Sequence, residues 1–235
     1  AALDAPDRTR FERVDVSSED DVERLIDSAV RAFGRLDEMY NNAGIGGAFG
    51  PVTEQSVEDW DATFAVNVRS VFLGTKHAAR VMIEQGDGGA IVNTASIAGS
   101  SGGGGPQAYS ATKAAVISLT TTTAVELAPH RIRVNAVCPG AVYTDLLHRG
   151  RPELTDRWRE EIQPWPERGR PEMIAEVATW LASDGARFVT GEAVTADGGL
   201  MAAAPRLMDH DLAYLQRMAG IAYGNTGRKP EVRRL

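Results

Sequence analysis

Tyr109 and Lys113 stand four residues apart, so on a helix they share one face. A free phenol has a pKa of about 10 and moves protons poorly at neutral pH. A neighbouring ammonium stabilises the phenolate, and the pair then becomes usable as a general acid or base. Ser96 lies just beyond the apolar run Ala90 to Thr94, which reads as a buried strand. In an open α/β sheet the crevice at the carboxyl ends of the strands is where ligands bind. A hydroxyl there can hold a substrate oxygen. Tyr-x-x-x-Lys alone is a weak pattern, and its bland alternative is a surface pair. Its meaning depends on the elements around it.

Those elements alternate. Phe11 to Val16 reads as a short strand, followed by helical spacing over Glu19 to Phe33 behind a Ser17/Ser18 cap and ahead of Gly34. Leu36 to Tyr40 is a second strand. Val57 to Gln85 is a long helical stretch, in one piece or two. Then come the Ala90–Thr94 strand, a Tyr109–Ala128 helix, an Ile132–Cys138 strand, a Glu172–Ser183 helix and a last strand over Ala193–Ala196. Aliphatic strands alternating with helices predict an α/β fold, a doubly wound, Rossmann-like parallel sheet with right-handed crossovers. Residues 1–200 are expected to form this catalytic domain, with 141–170 as a substrate lid, and 201–235 a C-terminal helical extension, because Leu207, Met208, Leu212, Leu215, Met218 and Ile221 recur at helical spacing. The four-glycine run Gly102 to Gly105 is either a flexible loop or the rim of the pocket. In the lid, Trp158 and Trp165 face either an apolar substrate or the loop's own packing. The arginines at 149, 151, 157, 159, 168 and 170 are read as a solvated charged surface rather than an anion site.

The chain has 235 residues, enough for one large domain. A net charge of −7 argues against a nucleic-acid partner, which needs a basic face. The single cysteine, Cys138, rules out an intrachain disulfide and reads as a small apolar residue at a strand end in a reducing compartment. No metal-ligand cluster is visible. No apolar run of about 18 residues points to a membrane span, and no leader is visible, so the expectation is a cytoplasmic protein.

With the surrounding pieces, the Tyr–Lys pair gains specificity. Asp15-Val16, Asn41-Asn42-Ala43-Gly44, Asn67-Val68-Arg69-Ser70, Ser96, Tyr109-Ser110-Ala111-Thr112-Lys113, Arg133-Val134-Asn135, Pro139-Gly140, Thr144 and Asp197-Gly198-Gly199 occur in that order. Over Phe11 to Gly199 the chain resembles the short-chain dehydrogenase/reductase family in its simple, single-domain branch. The resemblance implies an NAD(P)-dependent oxidoreductase that interconverts an alcohol and a ketone. It implies a catalytic tetrad of Asn67, Ser96, Tyr109 and Lys113. Tyr109 is then the acid in reduction and the base in oxidation, and Ser96 orients the substrate oxygen. Lys113 lowers the Tyr109 pKa and bonds the nicotinamide ribose, and Asn67 holds a water on the proton path. Cofactor contacts implied in the same way are Asp15 and Val16 at the adenine, Asn41, Ala43 and Gly44 at the adenosine, and Pro139, Gly140, Val142 and Thr144 at the nicotinamide, with Tyr109 and Lys113 shared. Each has a plainer reading: Asp15 as a strand-end cap, Asn41 as a buried bridge between strands, Pro139-Gly140 as turn punctuation. The Tyr–Lys spacing fits alcohol/ketone members rather than enoyl reductases, and the long tail is unlike the carrier-linked ketoacyl reductases. A homotetramer or dimer paired through the long helices is expected.

One departure stands out. The family's Thr-Gly-x-x-x-Gly-x-Gly turn, which cradles the pyrophosphate, has no counterpart here. The chain opens on Ala1, and its first strand matches the family's third. The expectation is therefore a sheet N-terminally truncated by about two strands and one helix, roughly 50 residues. The residue that separates NAD from NADP would lie in that stretch, and NAD is expected ahead of NADP. A second reading stays open, a non-catalytic relative that binds a protein or ligand.

Overall fold

The computed structural model describes residues 8–148, 150, 153, 156 and 162–203. The proposed tail helix and Trp158 lie outside the described residues, as do Arg149, Arg151, Arg157 and Arg159.

Four parallel strands form one sheet in the order β1-β2-β3-β4: β1 Glu38–Asn41, β2 Gly89–Thr94, β3 Ile132–Pro139 and β4 Ala193–Ala196. The register aligns Asn41 with Asn93, Thr94 with Val137 and Pro139 with Ala196, so the parallel strands share one carboxyl edge that steps outward from β1 to β3. Helices connect them: α1 Glu19–Phe33, α2 Val57–Phe64, α3 Ser70–Gln85, α4 Gln107–Leu127, the short α5 Asp145–His148 and α6 Pro171–Ala182. Successive strand residues face opposite sides of a sheet. Ile91 accordingly joins Ala78, Met82, Ala124 and Leu127 of α3 and α4, whereas Val92 joins Ala178 and Leu181 of α6. The helices thus cover both faces, as the alternating pattern predicts. Among the described residues no helix is long and apolar enough to cross a membrane.

The expected strand over Phe11–Val16 does not form. A strand needs a ladder partner for its N–H and C=O groups, and among the described residues none pairs with this segment. It runs extended beside α1 instead. Glu12 accepts from Ser28 at 2.7 Å, the Asp15 amide donates to Asp21 at 2.9 Å, and Phe11 is 90% exposed. Ser18 does stand at the N-cap of α1, yet its side chain makes no capping bond. Gly34 ends α1 in the left-handed conformation, as expected.

Several motif residues prove architectural. Arg133 donates to the carbonyls of Leu181, Ala182 and Ser183, satisfying the end of α6 where cations also complement the helix dipole. Asn135 braces the turn before β4 through Val189 and Glu192. Asn41 donates to Asn93 at 2.9 Å, and Asn93 to Thr120 of α4 at 2.9 Å. Gly74 of α3 leaves room for this bridge, since a Cβ there would lie 2.0 Å from the Asn41 oxygen.

Candidate active site

The site is assembled where the carboxyl edge of β2 meets the first turns of α4. Beyond β2 the chain enters a single 3-10 turn, Ile97–Gly99, capped by Ser96, whose Oγ accepts from the Ala98 amide at 3.1 Å. Gly99 lies so close to α4 that a Cβ would sit 2.6 Å from the Lys113 carbonyl carbon. This contact brings Ser96 to the Tyr109 face, near enough for its hydroxyl to act on the Tyr109 phenol. Gly105, the last of the glycine run, lies against the Tyr109 ring, 3.1 Å from where its Cβ would be. This end of the run thus packs against the Tyr109 ring.

Lys113 is 3% exposed. Its Nζ donates to the Thr94 carbonyl at 2.7 Å and stands 5.6 Å from the centre of the Tyr109 ring. Burial pulls this ammonium down to about 8, with nearby Cys138 acting in the opposite direction. Burial likewise pushes the Tyr109 phenol above its ordinary value, and the Ser96 hydrogen bond offsets only part of that. Burial governs Tyr109, which therefore carries its proton at neutral pH.

Asn67 reaches the site through an irregularity. Between α2 and α3 the helix widens into a π turn, Ala65–Arg69, that carries it. Such turns are rare in helices and frequent at functional sites. The expected long helix is thus continuous but bulged at Asn67. Asn67 is fully buried; its Oδ1 accepts from the Ile45 amide at 2.8 Å, and its Nδ2 donates to the Ile45 carbonyl at 2.9 Å and to Thr112 at 3.2 Å.

Gly44 separates Asn67 from Lys113. A Cβ on it would stand 3.4 Å from the Asn67 oxygen and 3.6 Å from the Lys113 Nζ. The exposed backbone of Asn42-Ala43-Gly44 therefore leaves a side-chain-free approach to a buried ammonium. Across it lies the loop after β3. Gly140 packs on Asp197, where a Cβ would stand 2.5 Å from the Asp197 Cβ. Val142 bridges to Gly169, and Thr144 bonds the Val142 carbonyl at 3.3 Å. Pro139, Gly140, Val142 and Thr144 are all half-buried.

The other expected contacts are placed differently. The Asn41 side chain is committed to Asn93 and Thr75 on the helical side, which leaves its backbone for a nucleotide. Asp15 and Val16 sit just ahead of α1 and make no hydrogen bond to the tetrad among the described residues. The Asp15 carboxylate accepts from the Ser17 hydroxyl and amide, which hold it below the usual carboxylate range. In the segment after β3, the Arg168 guanidinium lies 4.8 Å over the Tyr143 ring and pairs with Asp156, so its charge is spent internally. Trp165 is 58% exposed and held by the Gly198 carbonyl. The sequence reading missed Gly99, the Thr94 carbonyl and the Thr112 hydroxyl. Of these, only Thr112 lay inside a motif it had singled out.

A family profile described as enoyl-(acyl carrier protein) reductase matches residues 1–201. The 3beta-hydroxysteroid dehydrogenase 2 of Eggerthella lenta is 40% identical over 200 residues, covering 82% of this chain and 75% of that protein. The cis-4-hydroxycyclohexanecarboxylate dehydrogenase of Sinomonas cyclohexanicum is 42% identical over 202 residues, covering 86% and 80%. Among solved structures, ElxO with NADP bound superposes with a TM-score of 0.76 at 35% identity, covering 82% of this chain and 78% of that one.

Proposed function

Since the chain belongs to the short-chain dehydrogenase/reductase family and is an oxidoreductase acting on CH–OH groups, we propose that it interconverts a ring-borne secondary alcohol and its ketone with a nicotinamide cofactor. The observation that carries this reading is the meeting of Ser96, Tyr109 and buried Lys113 at one edge of the sheet. The side-chain-free approach over Gly44 fits a nucleotide laid against the Lys113 ammonium. Lys113, the backbone of Asn42 to Gly44, and the Pro139–Thr144 loop would hold it, and Asp15 with Val16 would take the adenine end. Once bound, the cofactor supplies or accepts the hydride.

The protein's own groups handle the oxygen. In reduction the Ser96 hydroxyl holds the ketone oxygen, and the protonated Tyr109 Oη donates its proton as negative charge develops there. In oxidation Tyr109 takes the proton back, and Lys113 stabilises the phenolate. The Tyr–Lys spacing and the placing of Ser96 beside Tyr109 favour this carbonyl chemistry over enoyl reduction. The relatives' names supply the substrate class, since a hydroxysteroid and a hydroxycyclohexanecarboxylate both bear the alcohol on a carbocycle. Residues 1–200 would form the catalytic unit, 141–170 its lid and 201–235 an extension, in the cytoplasm.

The test is turnover by the full-length protein with NAD(H) and NADP(H), the first expected to be preferred. A rigid ring loses less freedom on binding than an open chain. Cyclohexanol-type substrates are therefore expected to exceed open-chain secondary alcohols by about tenfold in kcat/KM. Equal rates would remove the ring preference, and no turnover with any carbonyl or alcohol would remove the enzyme reading itself. Exposed Val57, Trp60, Phe72 and Val125 on the long helices support self-association. Light scattering should give a homotetramer or dimer; a monomer at micromolar concentration would refute this.

A further inference from the structure

We propose that Thr112 is a positioning residue whose buried hydroxyl ties the amide of Asn67 to the backbone of Tyr109. The proposal rests on the oxidoreductase reading above and adds a member to its machinery. Thr112 is fully buried. Its Oγ1 donates to the Tyr109 carbonyl at 2.7 Å and accepts from the Asn67 Nδ2 at 3.2 Å.

The same helix supplies the comparison. A threonine inside a helix commonly returns its hydroxyl to the carbonyl four residues back. Thr120, Thr121, Thr122 and Thr123 all do so, to Val116, Ile117, Ser118 and Leu119. Thr122 and Thr123 also share theirs with the carbonyl three residues back. Thr112 differs in leaving the carbonyl four back altogether: it bonds that of Tyr109, three back, and turns a lone pair on Asn67. Its one proton is spent on Tyr109, so Asn67 must present its amino group there.

That choice fixes the Asn67 amide plane. Both Nδ2 hydrogens are used, one on Thr112 and one on the Ile45 carbonyl. Oδ1 is thereby left toward the Ile45 amide and the Gly44 side, where Lys113 stands. Asn67 comes from the π turn and the Tyr–Lys pair from α4. Thr112 is the side chain that joins them. Without its hydroxyl, one amide hydrogen of a buried Asn67 has no partner and the side chain loses its fixed orientation.

The experiment compares kcat and KM in the full-length protein for Thr112→Val, Thr112→Ser, Asn67→Ala and the double variant Asn67→Ala/Thr112→Val. Thr122→Val serves as control, an equivalent change on the exposed face of α4. Thr112→Val should lower kcat about tenfold and leave KM for the nucleotide within about twofold. Thr112→Ser should recover most of the rate. In the Asn67→Ala background Thr112→Val should add nothing, because groups acting through one contact are not additive. If Thr112→Val does not fold, Thr112→Ala removes the same hydroxyl with a helix-favoured residue. A parent-like rate in Thr112→Val, a serine variant as slow as valine, or independent multiplication of the two losses overturns the proposal. A parent without turnover defeats the oxidoreductase reading and this role together. An active parent with an unaffected valine variant defeats the role of Thr112 alone.

Discussion

Replacing Tyr109 by phenylalanine should lower kcat in both directions by about a thousandfold, the contribution of a well-placed acid or base. The change is narrow. The ring and its packing on Gly105 remain, and Ser96 keeps its bond to the Ala98 amide. What disappears is the Oη and its interaction with the Ser96 hydroxyl. Substrate and nucleotide KM should therefore hold while kcat falls, as expected for a group that acts in the transition state. The parent's pH profile follows from the raised Tyr109 pKa. An acid whose pKa is raised keeps its proton longer, so reduction should stay level through neutral pH and decline only above that pKa. Oxidation needs the phenolate and should climb over the same range. Steady-state rates in both directions across pH decide the matter. A phenylalanine variant within tenfold of the parent would move the acid–base role away from Tyr109.

The elements that carry the site were legible because their signals are local. Small and apolar residues at helical spacing marked α4, and Tyr109 and Lys113 inherit their common face from it. The aliphatic runs gave β2 and β3, and the position of Ser96 follows from where β2 stops. The segment Phe11–Val16 was misread for a non-local reason. Its residue types read as a strand, but a strand exists only with a partner, and no described segment pairs with it. The π turn at Asn67 was equally hidden, since Ala65-Val66-Asn67-Val68-Arg69 has the composition of any helix. Gly99 carried no signal in the sequence, and its close approach to Lys113 is a property of two segments at once. The Tyr109 pKa shows a subtler gap. Residue types suggested that Lys113 would lower it. The fold buries both groups and sends the ammonium to the Thr94 carbonyl, so burial prevails.

That same burial predicts opposite effects on activity and stability at Lys113. Lys113→Met keeps much of the side chain's volume and removes its charge. Activity should fall by at least about a hundredfold, because Tyr109 loses the ammonium that supports its phenolate during oxidation. Stability should rise. The folded protein holds Lys113 at about 8 against 10.5 in the free side chain. At roughly 1.4 kcal/mol per pKa unit, keeping it charged costs about 3 kcal/mol at neutral pH. Losing the bond to the Thr94 carbonyl takes back about 1–2 kcal/mol, leaving the variant ahead by about 1–2 kcal/mol. Between its folded and unfolded pKa values, about 8 and 10.5, the unfolded chain binds more protons at Lys113 than the folded one. The parent therefore gains stability from this residue as pH rises through that window, and the variant does not. Thermal melts without nucleotide should show the variant higher at about pH 7, by an amount that is constant below about pH 8 and shrinks toward pH 10. A parent that melts above the variant at neutral pH, or a gap that ignores pH, would mean that Lys113 is accommodated without strain in the empty site. A shrinking gap would mean that the fold carries a destabilising charge at the one place where a phenolate has to be supported.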